Sequence, residues 1–570
     1  MPWWLLAGAG GLGVLMIGGG LWSLSAPDPT PLTGDTTGTV GAMTAPSGAA
    51  VPGGGPAGGG SPSSGVVDLT SPAPKQTGAP DGEALCPGCD ILLITACSLR
   101  KDHVGAYGTF PDLTPAIDSI AADGFLFDRA FAASNFTLAS LTAVLTGRYG
   151  SSSGVTGWDK GLGESVPTLP EVLGLYGYKT GGFTVDAPSG FRPDYGLHRG
   201  FQTMKIIPTP RDTPDGRWRR GDIGPGGASA APVEAWLDEN PASEGGSLLT
   251  MFHTRTAHFP FVISENGADE DTTGITRLLW EAGRTNMAAS NQQAMPGMAG
   301  GTAQKGVVEL NGTDPLMTAL LRGGAPAEAM WRQRYREAVG RMDLDVARVL
   351  AALERSGRRD RTIIVLVGDH GESINDHGEM LHGDAYYNGV VNVPLVVRVP
   401  GVENPGGATH SALVSHVDLL PTLFDLVGAV APAGIDGVSM TPLLRGDAVA
   451  IRGTTLVEGG VARQVGGIPK GAVITDRWAL LRQQRGCGGP PSVDASRLPG
   501  EPSTCLFDLD ADFAQNRDVA AANSEVVTDL LGRWSSFRDA REAVARQFDL
   551  DPAYIEELQR TGYDFHELDP

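Results

Sequence analysis

Cysteine, aspartate and histidine stand at the ends of two apolar runs that lie far apart in a chain of 570 residues. The first run, Ile91–Ala96, is followed at once by Cys97, Ser98, Arg100, Asp102 and His103. The second lies within Thr362–Glu372 and ends in Asp369-His370-Gly371. Short apolar runs of this kind read as buried strands, and ligands of open α/β sheets collect at the carboxyl ends of strands. Sulfur, carboxylate and imidazole donors at two strand ends suggest one metal site assembled from both. Five of the ten histidines, His253, His258, His370, His377 and His382, fall in two short segments, a clustering that favours a site.

Strands and helices alternate from residue 91 onward, which favours a mainly parallel sheet with helices on both faces. The spacing predicts helices over Thr114–Ala122, Thr137–Thr146 and Thr168–Tyr176, and strands over Phe125–Phe127, Lys179–Val185 and Ser247–Phe252. Tyr335, Val339, Met342, Val346, Val349 and Leu353 recur at helical intervals and define a helix over Arg332–Arg355. It leads into a strand at Thr362–Val367, followed by a strand at Pro394–Val399 and a helix at Leu419–Val427. Residues 264–326 lack periodicity and read as an irregular surface insertion, with a lid as one role and an inconsequential loop as the other. Beyond residue 437 the pattern predicts small antiparallel strands at Thr454–Glu458, Ala472–Leu481 and Cys505–Leu509. Helices are expected near Val526–Trp534 and Pro552–Gln559.

Residues 3–24 are uncharged and mostly apolar, about the ~20 residues needed to span a bilayer. Residues 1–25 therefore read as a signal-anchor or signal peptide, and either exports the rest. A Gly/Pro/Ser/Thr linker over 26–85 carries too little apolar surface to fold. The expected location is extracytoplasmic, periplasmic or at the cell surface, tethered to the membrane. Four of the five cysteines are read as two disulfides, Cys86–Cys89 and Cys487–Cys505, with a zinc or redox role for the CxxC as the alternative. Cys97 is the odd one out, a buried thiol or a metal ligand. A net charge of −22 argues against nucleic acid as a partner and requires any anion site to be local.

The segments ILLITACSLRKDHVGAYG (91–108), SNFTLASLTAVLTGRYG (134–150), MFHTRTAHFPF (251–261) and GDHGESINDHGEMLHG (368–383) together resemble the sulfatase family of the alkaline phosphatase superfamily. The resemblance implies that superfamily's parallel α/β sheet over 86–436, with an antiparallel sheet-plus-helix subdomain over 437–570. It implies a metal-assisted hydrolase of sulfuric or phosphoric esters acting on a small or glycan-type substrate. One divalent metal is expected at Cys97, Asp369 and His370, with Zn²⁺ or Mn²⁺ favoured over Ca²⁺ or Mg²⁺ if Cys97 is a ligand.

Three positions depart from the family. Cys97 replaces the ligand Asp, Thr137 stands where the formylglycine-forming Cys is expected, and Leu141 replaces an Arg. No formylglycine is expected, and Thr137, opening a helix, becomes the nucleophile unless it is simply an N-cap. His258 and His382 are the other catalytic candidates. Arg100, Asp102, Ser140 and His253 are assigned to substrate binding or support of the site, and His377 and Glu379 to support or surface. The alternatives are a catalytically degenerate sulfatase-fold binding protein, or a phosphoryl transferase with a Thr nucleophile.

Overall fold

The computed structural model describes residues 84–157, 160–185, 190–207, 228–258, 315–382, 386–404, 409–459, 470–483, 486–487, 503–542 and 548–549. The expected N-terminal membrane segment and linker, most of the 264–326 insertion and the helix expected at Pro552–Gln559 lie outside these residues. No helix among the described residues is long and apolar enough to cross a membrane.

The main sheet contains β1 (Asp90–Ala96), β2 (Phe125–Phe127), β3 (Lys179–Val185), β4 (Thr203–Ile207), β5 (Leu248–Thr254), β6 (Thr362–Gly368), β7 (Leu395–Arg398) and β8 (Thr409–His410). The strand order is β8-β2-β7-β6-β1-β5-β3-β4. Only β7 runs against its neighbours. The three central strands β6, β1 and β5 lie in register, with Ala96 opposite both Thr254 and Gly368. Their carboxyl ends therefore deliver Cys97, Arg255 and Asp369 to one edge of the sheet.

Each central strand is buried on both faces, which is why it is an unbroken apolar run. Ile91 and Leu93 join one core layer with Ile363, Val365 and Val367. Leu92, Ile94, Ile364 and Leu366 join the layer on the other face. Helices α1 (Pro115–Ala122) and α3 (Pro315–Arg355) cover the second layer through Ile117, Ile120, Tyr335, Val339, Met342 and Val346. Helices α2 (Thr137–Thr146) and α4 (Leu419–Val427) cover the first through Leu138, Leu141, Leu145, Leu423 and Phe424.

A second, antiparallel sheet is formed by β9 (Thr454–Glu458), β10 (Gly471–Thr475), β11 (Trp478–Gln483) and β12 (Ser503–Asp508). Helix α5 (Ser524–Glu542) closes one face, burying Leu530, Trp534 and Phe537 against Leu456, Val473, Leu480 and Leu506. Tyr386, Tyr387 and Val390, just downstream of His382, pack on the other face. The small sheet thus supports the segment that follows a candidate site residue. The disulfides Cys86–Cys89 and Cys487–Cys505 are both formed, and Cys97 is free and buried.

Several elements differ from expectation. Residues 472–481 are two strands rather than one, because Asp476-Arg477 turns the chain and the Thr475 hydroxyl accepts from Trp478 N at 2.9 Å. Helix α3 begins at Pro315, so the end of the 264–326 segment is helical rather than irregular. Pro suits the first turn, and Leu316, Met317, Ala319, Leu320 and Leu321 are strong helix formers. Edge strands β4 and β8 were unforeseen; edge strands are short and weakly patterned.

Candidate active site

Cys97, Asp369 and His370 are fully buried, and one donor atom from each lies within 4.8 Å of the others. Asp369 Oδ1 accepts backbone N–H bonds from Ser98 at 3.1 Å and His370 at 2.6 Å. Its Oδ2 has no hydrogen-bond partner among the described residues. His370 Nδ1 donates to the Gly371 carbonyl at 2.8 Å, which leaves the lone pair on Nε2 facing the other donors. An orphaned carboxylate oxygen, an oriented imidazole lone pair and a sulfur are a donor set that fits a divalent cation.

The electrostatics agree with that fit. Burial pushes the Cys97 thiol far up, and the Asp369 carboxylate adds to the shift. Burial also works against charge on Asp369, but His370, His253 and the two N–H bonds hold its pKa below the usual carboxylate range. Burial lowers His370 and outweighs the attraction of Asp369, with His382 pushing the same way. Ligands needed as carboxylate and neutral imidazole are already in those forms near neutrality; the thiol requires a cation beside it to ionise.

Thr137 meets this group at the first turn of α2. Its Oγ1 is 3.5 Å from Cys97 Sγ and 3.2 Å from His370 Nε2. The N-cap is Phe136, so Thr137 sits one residue inside the helix and its hydroxyl is turned to the donor group instead of capping. Ser140 donates to the Ser134 carbonyl at 3.0 Å and Leu141 is fully buried in the core, so both serve the packing of α2.

Two further imidazoles complete the arc. The His382 ring lies 4.2 Å from that of His370, and His258 lies 5.0 Å from His382, centroid to centroid. His382 Nδ1 is 3.0 Å from Oε1 of Glu372, a wholly buried carboxylate. Leu381, just before His382, adopts φ of 64°, and Asn375 and His377 in the same loop are also left-handed. Such backbone costs roughly 1–3 kcal/mol per residue and collects where geometry serves function. His377 stacks on Tyr387 with centroids 3.9 Å apart and supports the loop. His253 lies within β5; its Nδ1 is 2.9 Å from the Thr95 hydroxyl, and its Nε2 has no partner among the described residues. Burial pushes its pKa down to about 4.

Arg100 is buried. Its guanidinium is spent on both oxygens of Asp102 at 2.9 and 2.6 Å, on the Glu372 carbonyl at 2.8 Å and on Asp376. Arg100 and Asp102 thereby tie the loop after β1 to the loop after β6. Gly389 leaves room for this guanidinium: a Cβ there would stand 2.7 Å from Arg100 Nη1. From the other side, Tyr335 of α3 donates to the Ser98 carbonyl at 2.6 Å and accepts from Arg100 N at 2.9 Å.

Glu372, Tyr335 and Arg255 were not singled out by sequence reasoning. Glu372 stood in sight beside Asp369-His370. Tyr335 was legible only as one apolar position in a helical stripe.

A buried hydroxyl, a Cys/Asp/His donor group and a carboxylate-held histidine gather at the carboxyl edge of the mainly parallel sheet. The sulfatase family profile matches residues 90–429, and the chain belongs to that family. The steryl-sulfatase of Rattus norvegicus is 29% identical over 434 residues, covering 63% of this chain and 71% of that protein. The Delta 4,5-hexuronate-2-O-sulfatase of Bacteroides thetaiotaomicron is 26% identical over 370 residues, covering 63% and 72%. Among solved structures, the phosphonate monoester hydrolase of Agrobacterium radiobacter superposes with a TM-score of 0.56 at 21% identity, covering 80% of this chain and 96% of that one.

Proposed function

We propose that this chain hydrolyses sulfuric or phosphoric esters with Thr137 as the nucleophile. The observation that carries the reading is the Thr137 hydroxyl, turned away from capping and held between Cys97 and His370. Cys97, Asp369 and His370 would hold one divalent cation; the sulfur favours Zn²⁺ over Ca²⁺ or Mg²⁺. Such a cation, when bound, polarises an ester oxygen and favours the ionised hydroxyl.

The chain's own groups account for the rest. Thr137 Oγ1, ionised with its proton lost to solvent, forms the new bond to sulfur or phosphorus as the bond to the alkoxide breaks. The first-turn N–H groups of α2 favour the anion at that position. His382, held through Nδ1 by Glu372, gives its proton to the departing alkoxide. Water then cleaves the Thr137 ester and releases the inorganic anion. Two relatives are named as sulfatases of sugar positions, which makes a glycan-type ester a reasonable substrate class. Two disulfides support an oxidising, exported setting, with the apolar segment 3–24 as its membrane anchor.

The test is a panel of aryl sulfates, phosphate mono- and diesters and phosphonate monoesters, each with Zn²⁺, Mn²⁺ or Ca²⁺. Turnover of at least one ester, abolished in Thr137→Ala, is expected. Unchanged turnover in that variant removes Thr137 from the mechanism, and inertness toward the whole panel favours a binding role.

A further inference from the structure

A chain of net charge −22 repels anions at long range, so an anionic ester must be met by a cation placed at the site itself. The described residues supply two guanidinium groups near the centre. Arg100 is consumed by Asp102 and Asp376. The other is Arg255, which leaves β5 beside Cys97: Cys97 N donates to the carbonyl of Thr254 at 2.8 Å.

Arg255 stands on a constrained turn. His258 N donates to the Arg255 carbonyl at 2.9 Å, and the Thr256 hydroxyl donates to Asp345 of α3 at 3.0 Å. The turn aims Arg255 along the arc of imidazoles. Its Nη2 is 3.0 Å from Nε2 and 3.1 Å from Nδ1 of His258, whose ring meets His382, whose ring in turn meets His370. Arg255 is half-buried, so it is reachable from solvent yet partly desolvated. Its charge is also felt at Cys97, where it opposes the upward shift of the thiol.

We propose that Arg255 receives the non-bridging oxygens of the tetrahedral ester anion and sets the affinity of the site for it. A planar guanidinium can donate two parallel N–H bonds to two oxygens of sulfate or phosphate, which an ammonium cannot match. This role rests on the reading of the site as an ester hydrolase, but its test does not require turnover.

The experiment measures binding of inorganic sulfate and inorganic phosphate to the full chain by calorimetry, with equal Zn²⁺ throughout. Arg255→Gln is expected to weaken both by roughly 10- to 100-fold, the worth of a charge-assisted hydrogen-bond pair. Arg255→Lys, which keeps the stem and the charge, is expected to retain part of the affinity and serves as the folding control. Thr137→Ala is expected to bind both anions while losing turnover. An Arg255→Gln protein that binds as tightly as the parent, or a parent that binds neither anion, overturns the inference. Loss of binding in Arg255→Gln, in a parent that hydrolyses no ester, upholds it while removing the hydrolase reading.

Discussion

In the proposed metal group, Cys97 would decide which cations suit the donors. A thiolate among a carboxylate and an imidazole disfavours hard cations that want oxygen ligands. Cys97→Asp is therefore expected to lower Zn²⁺ affinity and raise Ca²⁺ affinity, each by roughly tenfold or more, in metal-competition titrations; an unchanged preference would remove Cys97 from the ligand set. His382 depends on Glu372 for its orientation, since the two are linked through Nδ1 and the carboxylate is wholly buried. Glu372→Gln keeps the shape and loses the charge. Its expected effect is a fall in kcat of roughly 10² with KM little changed, read from steady-state kinetics on the best ester of the panel. A shift confined to KM would place Glu372 in binding instead. At this scale the residue types were legible in the sequence: Cys97, Thr137, Asp369, His370 and His382 are all drawn to one edge of the sheet. Arg255 was not, because a single Arg in a loop carries no periodic or spacing signal. For Arg100 the sequence left a structural and a substrate-facing role equally open, and its guanidinium makes four hydrogen bonds to the chain.

The elements matter through what they hold still. His416, three residues before α4, donates from Nε2 to the Gly368 carbonyl at 2.9 Å and accepts from Ala133 N at Nδ1, 3.3 Å away. It so joins the end of β6 to the approach to α2, the two elements that present Asp369 and Thr137. Both bonds demand the neutral ring, and burial pushes the pKa down to about 4. The unfolded chain then binds the extra proton between pH 6.5 and about 4, where the folded chain does not. Stability from this group is complete above pH 6.5 and is lost as pH falls through that window, by on the order of 3 kcal/mol in total. Denaturant unfolding at pH 7 and pH 5 should show the decline, and His416→Gln, which can keep both bonds, should show a shallower one. An identical pH slope in the variant would assign the decline to other groups such as His253. The helical stripe of α3 and the apolar strands were legible because periodicity reports burial directly. The hairpin at Asp476-Arg477 was not, because two buried strands joined by a two-residue turn read as one apolar run.

At the scale of the whole molecule, the main sheet positions the site and the small sheet supports the segment after His382 through Tyr386 and Tyr387. The Cys487–Cys505 disulfide closes a loop with a sequence separation of 18 onto β12 of that sheet. Replacing both cysteines by Ala is expected to lower stability by about 3 kcal/mol, the loop-closure value for such a span. A calorimetric scan under reducing and oxidising conditions checks it: the parent should lose stability on reduction and the variant should be indifferent. Sequence by itself determined the α/β class, the family and the candidate residues of the site, because strand-length apolar runs and the donor residues at their ends are local features. Only the tertiary structure decided which of those groups meet. Parallel pairing of β5, β1 and β6 in register brings Arg255, Cys97 and Asp369 together across more than a hundred residues of chain at each step, and the packing of α2 turns Thr137 onto them. Such contacts depend on sheet order and helix placement, which no local pattern encodes.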